Sequence, residues 1–341
     1  MRRFLVKSLL FALLVLGPIF AVLFLPLPHS HLLSPILNKI DSLKTDERRD
    51  RIFFVGGSGL YLGLDGELVQ EQLHRPVMNL GVAAAFATTP LLHEIQPYLR
   101  AGDAVVVIPE YGVAFDRYAE SARPFLLALR PFRNFLPLYR VEKSPIRAVL
   151  SDIYTLDRSK LKAVPTAFRD ALHRVSLAPF VEGGYVDYGR YCNGTGDCTR
   201  FVRPAPSAEL IAQRGESYFA DPGEDYLNQS FAAFNAFCLN SRQRGIAVYF
   251  IFPAYPEQEY LRQESGMRKY ERRLRQELAC PILGSPDDFL YPYELFTDTV
   301  FHLNAKGKGL RTERVVGLLR EALPADQPYS ASASAGPEHR P

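Results

Sequence analysis

Apolar residues in this chain come in short unbroken runs, and between the runs lie longer stretches with helical spacing. The runs occupy residues 52–55, 77–80, 104–108 and 246–252, with a fifth at 281–283. Unbroken hydrophobicity over so few residues predicts strands covered on both faces, as in parallel sheets. Alternation of such strands with helices predicts an α/β domain with a mainly parallel sheet, spanning residues 51–323. Residues 113–244, between the third and fourth runs, exceed what that unit needs and read as an insertion. Its first part is aromatic and basic, with Phe125, Phe132, Phe135 and Tyr139, and reads as helix; Gly183, Gly184, Tyr185 and Tyr188 follow in a hairpin or irregular loop. Such an insertion suits a wall or lid over a site, and equally packing or partner binding. The tail, residues 324–341, is rich in Pro, Ser and Ala and predicts disorder.

The other strong pattern is at the N-terminus, where Arg2, Arg3 and Lys7 precede an uncharged, Leu- and Phe-rich stretch over residues 8–28. About 20 apolar residues in a helix match a hydrocarbon core about 30 Å thick, so one transmembrane span is predicted there. A cleaved secretory signal and a retained anchor both send the rest of the chain out of the cytoplasm. The exit, Leu25, Pro26, Leu27, Pro28, His29, lacks the small-x-small pattern of a cleavage site, which favours the anchor. The N-terminal positive charges place that end in the cytoplasm, against the counterweight of Lys39, Lys44, Arg48 and Arg49 on the far side. The chain is therefore expected in the cell (inner) membrane as a single-pass protein with a periplasmic domain, residues 29–50 serving as an amphipathic, then charged, stalk.

An apolar fraction of 47% supports a substantial core and excludes a disordered chain. Basic residues exceed acidic ones only as 40 to 37, so no global field points to nucleic acid. The cluster Arg268, Lys269, Arg272, Arg273 and Arg275 reads as a solvated helix surface. The four cysteines fit an oxidising compartment. Cys192 and Cys198 close a tight loop and suggest a local disulfide, leaving Cys238 with Cys280, although four cysteines allow three pairings. No paired C-x-x-C knuckle supports zinc, and neither a metal nor a cofactor is implied. Asn193 and Asn228 lie in glycosylation sequons, which matter only where the source glycosylates.

Two segments can carry chemistry. The first run ends in Gly56, Gly57, Ser58 and Gly59, and Leu60, Tyr61 and Leu62 can open a helix. A serine there stands at the carboxyl end of a strand, where open α/β sheets bind ligands, and a helix N-terminus offers N–H groups to a developing oxyanion. Near the other end, Asp298 and His302 precede the last helix. A serine hydroxyl is a poor nucleophile until a histidine takes its proton, and an aspartate fixes the tautomer of that histidine.

Together these residues resemble the SGNH, or GDSL-like, hydrolase superfamily, particularly its membrane-anchored members that act on cell-envelope glycans. Gly57, Ser58 and Gly59 look like the first block, with Ser58 as nucleophile. Asn79, Leu80 and Gly81 look like the second, whose glycine N–H joins that of the serine in an oxyanion hole, and Asp298 and His302, followed by Leu303, Asn304 and Gly307, look like the last. The resemblance implies a three-layer sandwich around a five-stranded flavodoxin-like sheet. Three departures stand out. Gly57 replaces the family's usual Asp. Pro109, Glu110, Tyr111 and Gly112 stand where the third block carries an oxyanion-donating Asn, so Tyr111 or another group must substitute, or activity is weak, since losing one donor costs about 10²- to 10³-fold. One residue more than usual separates Asp298 from His302.

The leading expectation is an extracytoplasmic serine esterase or O-acyltransferase that modifies an acylated envelope or exported polysaccharide. The transferase version calls for an acyl donor and a multi-span membrane acyltransferase as partner. The alternative is a non-catalytic glycan-binding or assembly protein that keeps the fold. A phosphate-binding role for the Gly56–Gly59 turn lacks the Lys of a P-loop.

Overall fold

The protein is described from a computed structural model that covers residues 34–82, 88–111, 193–197 and 224–323, with Ser151 and scattered helical positions between 3 and 17; side chains at 34–38, 90 and 224–230 are excepted. Most of the expected membrane span, most of the insertion, Cys192, Cys198, Asn228 as a side chain and the tail lie outside the described residues. No helix among the described residues is long and apolar enough to cross a membrane. The described apolar positions near the N-terminus, Phe4, Val6, Leu10, Phe11, Leu13 and Leu14, are each at least half exposed.

The predicted α/β architecture with a mainly parallel sheet is present. Its strands are β1 (Ile52–Gly56), β2 (Val77–Asn79), β3 (Ala104–Ile108), β4 (Ala247–Ile251) and, after a short separate pair, β6 (Ile282–Leu283). They lie in the order β2-β1-β3-β4-β6, and every neighbouring pair is parallel. The separate pair is β5 (Tyr255–Pro256) with β7 (Leu290–Tyr291), also parallel. The central strands IFFVG and AVVVI are buried at every position. Val, Ile and Phe suit such strands because branched and aromatic side chains fill the pleated surface on both faces.

The helices are α1 (Ser34–Thr45), α2 (Ser58–Gly63), α3 (Gly66–Leu73), α4 (Thr88–Ile95), α5 (Glu224–Gln243), α6 (Glu257–Arg262), α7 (Glu264–Glu277) and α8 (Ala305–Ala322). α8 packs with α2 and α3, while α5, α4 and α1 form a second group. The basic cluster lies on α7, where Arg268 pairs with Glu264, Glu271 and Asp287, Arg273 with Glu277, and Arg275 with Glu271. The stretch read as a stalk is drawn into the domain: on α1, Lys39, Ile40 and Leu43 are at most 2% exposed. At the amino ends of β1 and β3, Arg51 meets Asp103 through Nη2 at 2.7 Å and Nε at 3.2 Å, with both residues 1% exposed.

The strand order places a functional edge. From β1 the chain moves outward to β2, then crosses back to β3 on the other side of β1. At such a switch point the connections leaving adjacent strands diverge and open a crevice at their carboxyl ends. The register pairs Gly56 with Ile108. Ser58 and Glu110, each two residues beyond that pair, therefore leave the sheet side by side.

Candidate active site

Gly57 is the N-cap of α2 and Ser58 its first residue. A side chain at 57 would bring its Cβ within 2.6 Å of Glu110 Oε1, so glycine there leaves room for the Glu110 carboxylate against the turn. As the first residue of a helix, Ser58 presents a backbone N–H that has no intrahelical acceptor.

Asp298 and His302 come from a loop folded back on itself between β7 and α8. The Thr297 N–H donates to the His302 carbonyl at 2.8 Å, Phe296 and Leu303 form an antiparallel bridge, and Asn304 caps α8 by accepting from the Gly307 N–H. This closed loop absorbs the extra residue between acid and base, and His302 Nδ1 lies 2.7 Å from Asp298 Oδ1. The hydrogen bond from the imidazole is the main reason the Asp298 carboxyl is held well below the usual range, with a further bond from the Thr297 hydroxyl and burial working the other way. On its other side, His302 Nε2 lies 2.8 Å from Ser58 Oγ. The His302 and Asp298 side chains are 14% and 30% exposed, so the cluster sits at a solvent-facing rim. With Nδ1–H donating to Asp298, Nε2 is left as an acceptor for the serine proton.

The structure thus brings together Ser58, His302 and Asp298. It treats the other sequence candidates differently. The Gly81 N–H is engaged within its own segment, donating to Asn79 Oδ1 at 2.8 Å. Tyr111 is buried, its ring edge-on to Tyr255 at a centroid distance of 5.2 Å, and burial pushes its hydroxyl pKa well up. No hydrogen bond among the described residues joins Tyr111 to Ser58 or His302. Cys238, on α5, and Cys280, before β6, are buried free thiols held side by side; their mutual hydrogen bond, with burial, drives the Cys280 pKa far above the ordinary thiol value. Among the described residues no group of three His, Cys, Asp or Glu is placed to hold a metal ion.

Sequence reasoning missed three participants. Glu110, 4% exposed, accepts from Ser58 Oγ at 3.0 Å and from the Gly59 N–H at 2.5 Å. Its signal was a charged residue just past a strand adjacent to that of the serine. Arg311 on α8, 1% exposed, donates to the Gly59 carbonyl at 2.6 Å, and burial lowers its pKa to about 10, with Tyr291 and Glu110 offsetting part of that. It occupies the apolar stripe of Val315, Leu318 and Leu319, a position where an arginine signals a buried partner. Asp197, fully buried, accepts from the Gly66 N–H at 2.6 Å and from Asn79 Nδ2 at 2.8 Å, tying the loop at 193–197 to the start of α3 and the end of β2.

No protein-family model and no curated protein matches the chain. The geometry therefore carries the functional argument.

Proposed function

We propose that the protein is a membrane-anchored, extracytoplasmic serine acyl-ester enzyme of SGNH type, an esterase or O-acyltransferase acting on an acylated envelope or exported polysaccharide. The observation that carries the reading is the hydrogen-bonded chain Ser58–His302–Asp298, assembled from segments 244 residues apart at the carboxyl edge of a parallel sheet. Counting only strands of the main sheet, the order 2-1-3-4-5 is that of flavodoxin-like doubly wound folds, in keeping with the three-layer sandwich the resemblance implies. Anchoring rests on the uncharged stretch at residues 8–28 and the periplasmic side on its flanking charges.

In the reaction, Ser58 Oγ attacks the ester carbonyl as its proton passes to His302 Nε2, and Asp298 supports the imidazolium. The Ser58 N–H is placed to donate to the oxyanion. Collapse expels the alcohol, which takes the proton from His302 and leaves an acyl-serine. Water or a sugar hydroxyl then gives its proton to His302, attacks the acyl carbon and restores the serine. Water yields a free acid; a sugar yields a new ester.

A fluorophosphonate probe tests this on the detergent-solubilised full chain. Labelling that disappears in both Ser58→Ala and His302→Ala, with unchanged circular dichroism, supports the enzyme. Absence of labelling in the wild type favours the second reading, a non-catalytic glycan-binding or assembly protein. That reading draws on the engaged Gly81 N–H and on a carboxylate, rather than a donor, beside Ser58.

A further inference from the structure

Glu110 and Arg311 grip the two backbone polar groups of Gly59, next to Ser58. The Glu110 carboxylate takes the Gly59 N–H and the Arg311 guanidinium gives to the Gly59 carbonyl, so both backbone polar groups of that residue are held by buried, oppositely charged side chains. Hydrogen bonds to ionised groups are roughly twice as strong as neutral ones, and a buried guanidinium needs a nearby countercharge. Glu110 also accepts from Ser58 Oγ, the atom that His302 Nε2 approaches from the other side. A serine hydroxyl has one proton, so Glu110 and His302 Nε2 compete for it: held by Glu110, it must turn to Nε2 before attack.

Resting on the serine-enzyme reading above, we infer that Glu110, backed by Arg311, is a positioning residue for Ser58: it locks the nucleophile turn through the Gly59 N–H, which keeps the Ser58 oxygen within reach of His302 Nε2, and it lends its negative charge to the imidazolium that forms in the reaction. Among the described residues, the charged and titratable groups around this point are Asp298 from the loop of His302, Glu110 from the end of β3, Arg311 from α8 and, beside Arg311, Tyr291 from β7. Asp298 supports the imidazolium from one side. Glu110 does so from the other through its charge alone, across the Ser58 oxygen. Arg311 acts on the far side of the turn, against Gly59. This arrangement replaces the donor expected in the segment after β3 with an acceptor that serves the nucleophile rather than the oxyanion.

The test is the pH profile and the kcat-against-KM split for hydrolysis of 4-nitrophenyl acetate by the solubilised full chain, in wild type, Ser58→Ala, Glu110→Gln and Glu110→Asp. Glu110→Gln keeps the size and an acceptor oxygen but removes the charge. The expected result is a roughly tenfold fall in kcat with KM within about twofold, and an acid limb of kcat/KM moved to lower pH by on the order of one unit. The sign follows because removing a negative charge near the base makes the base easier to deprotonate. Should Glu110→Gln fail to fold, Glu110→Asp is decisive: its retracted carboxylate is expected to lower kcat and move the limb in the same direction by less. A wild-type profile in the folded variant, or a rise in kcat as expected of a carboxylate that opposes the oxyanion, overturns the inference while Ser58→Ala remains inactive. Wild-type activity that persists in Ser58→Ala, or no activity in the wild type, overturns the serine-enzyme reading and the inference with it.

Discussion

Replacing Asp298 by Asn tests how the acid works. The Oδ1 that faces His302 Nδ1 at 2.7 Å also accepts from Thr297 Oγ1 at 2.9 Å, so one oxygen serves two donors. At 30% exposure the other carboxyl atom has room for an amide nitrogen to face solvent, and the Thr297 hydroxyl favours keeping the oxygen inward. In that orientation the Nδ1–H tautomer survives and only the charge is lost. A hydrogen bond to a charged group contributes about 1.5–3 kcal/mol, which at about 1.4 kcal/mol per decade predicts a 10- to 150-fold fall in kcat/KM. Asp298→Ala removes the acceptor altogether and frees the ring to rotate, so it is expected to lose about 10³-fold or more. Steady-state hydrolysis of an activated ester by both variants, with melting curves to confirm folding, reads the comparison. Activity of Asp298→Asn within twofold of wild type would refute the contribution of the charge, and the same result for Asp298→Ala would refute the orienting role. A loss near 10⁴-fold would instead mean that the amide has turned its nitrogen inward and forced the wrong tautomer, refuting the anchoring assigned to Thr297.

Two further predictions concern stability. Asp103→Ala leaves the Arg51 guanidinium buried without its main counterion at the amino edge of the sheet, which should cost about 3–5 kcal/mol and lower the melting temperature by roughly 10 °C in calorimetry; a shift under about 3 °C would show that Asp46, 3.4 Å from Arg51, suffices. The juxtaposed thiols of Cys238 and Cys280 should join when the chain matures in an oxidising compartment, stabilising it by about 3–4 kcal/mol. A non-reducing peptide map of protein from the membrane fraction should show the crosslink, and recovery of both residues alkylated would exclude it.

The sheet was legible because its central strands are nearly unbroken Val, Ile and Phe runs: the third run matches β3 residue for residue, and the others differ from the strands by one residue at one or both ends. Those small shifts arise where polar ends such as Asn79 still complete a ladder and apolar ends such as Leu80 and Phe252 do not. The serine and histidine were legible because a glycine-flanked turn after a strand and an acid–base loop before a helix are local patterns. Glu110, Arg311 and Asp197 were not, because each acts on backbone far away in sequence and only the register and the helix packing bring it there. Glu110 reaches Gly59 because β1 and β3 are adjacent although β2 comes between them in the chain. The stalk misled because its apolar positions are sparse among charges, and one of those charges, Lys39, is itself buried.

Lys39 bears on how segments outside the core repeat meet the site. Its Nζ donates to the Gly81 carbonyl at 3.3 Å and lies 4.6 Å above the Tyr61 ring, so α1 holds both the turn after β2 and the helix that begins at Ser58. From the insertion, Asp197 holds Asn79 Nδ2, and Asn79 Oδ1 in turn holds the Gly81 N–H. Gly81 is thus fixed through its carbonyl by α1 and, through Asn79, by the loop at 193–197. A parallel sheet alone places the ends of β1 and β2 within a few ångströms but leaves the segments beyond them to find their own hydrogen bonds. Here those bonds come from parts of the sequence outside the core α/β repeat, which gives a physical reason for α1 to pack against the domain.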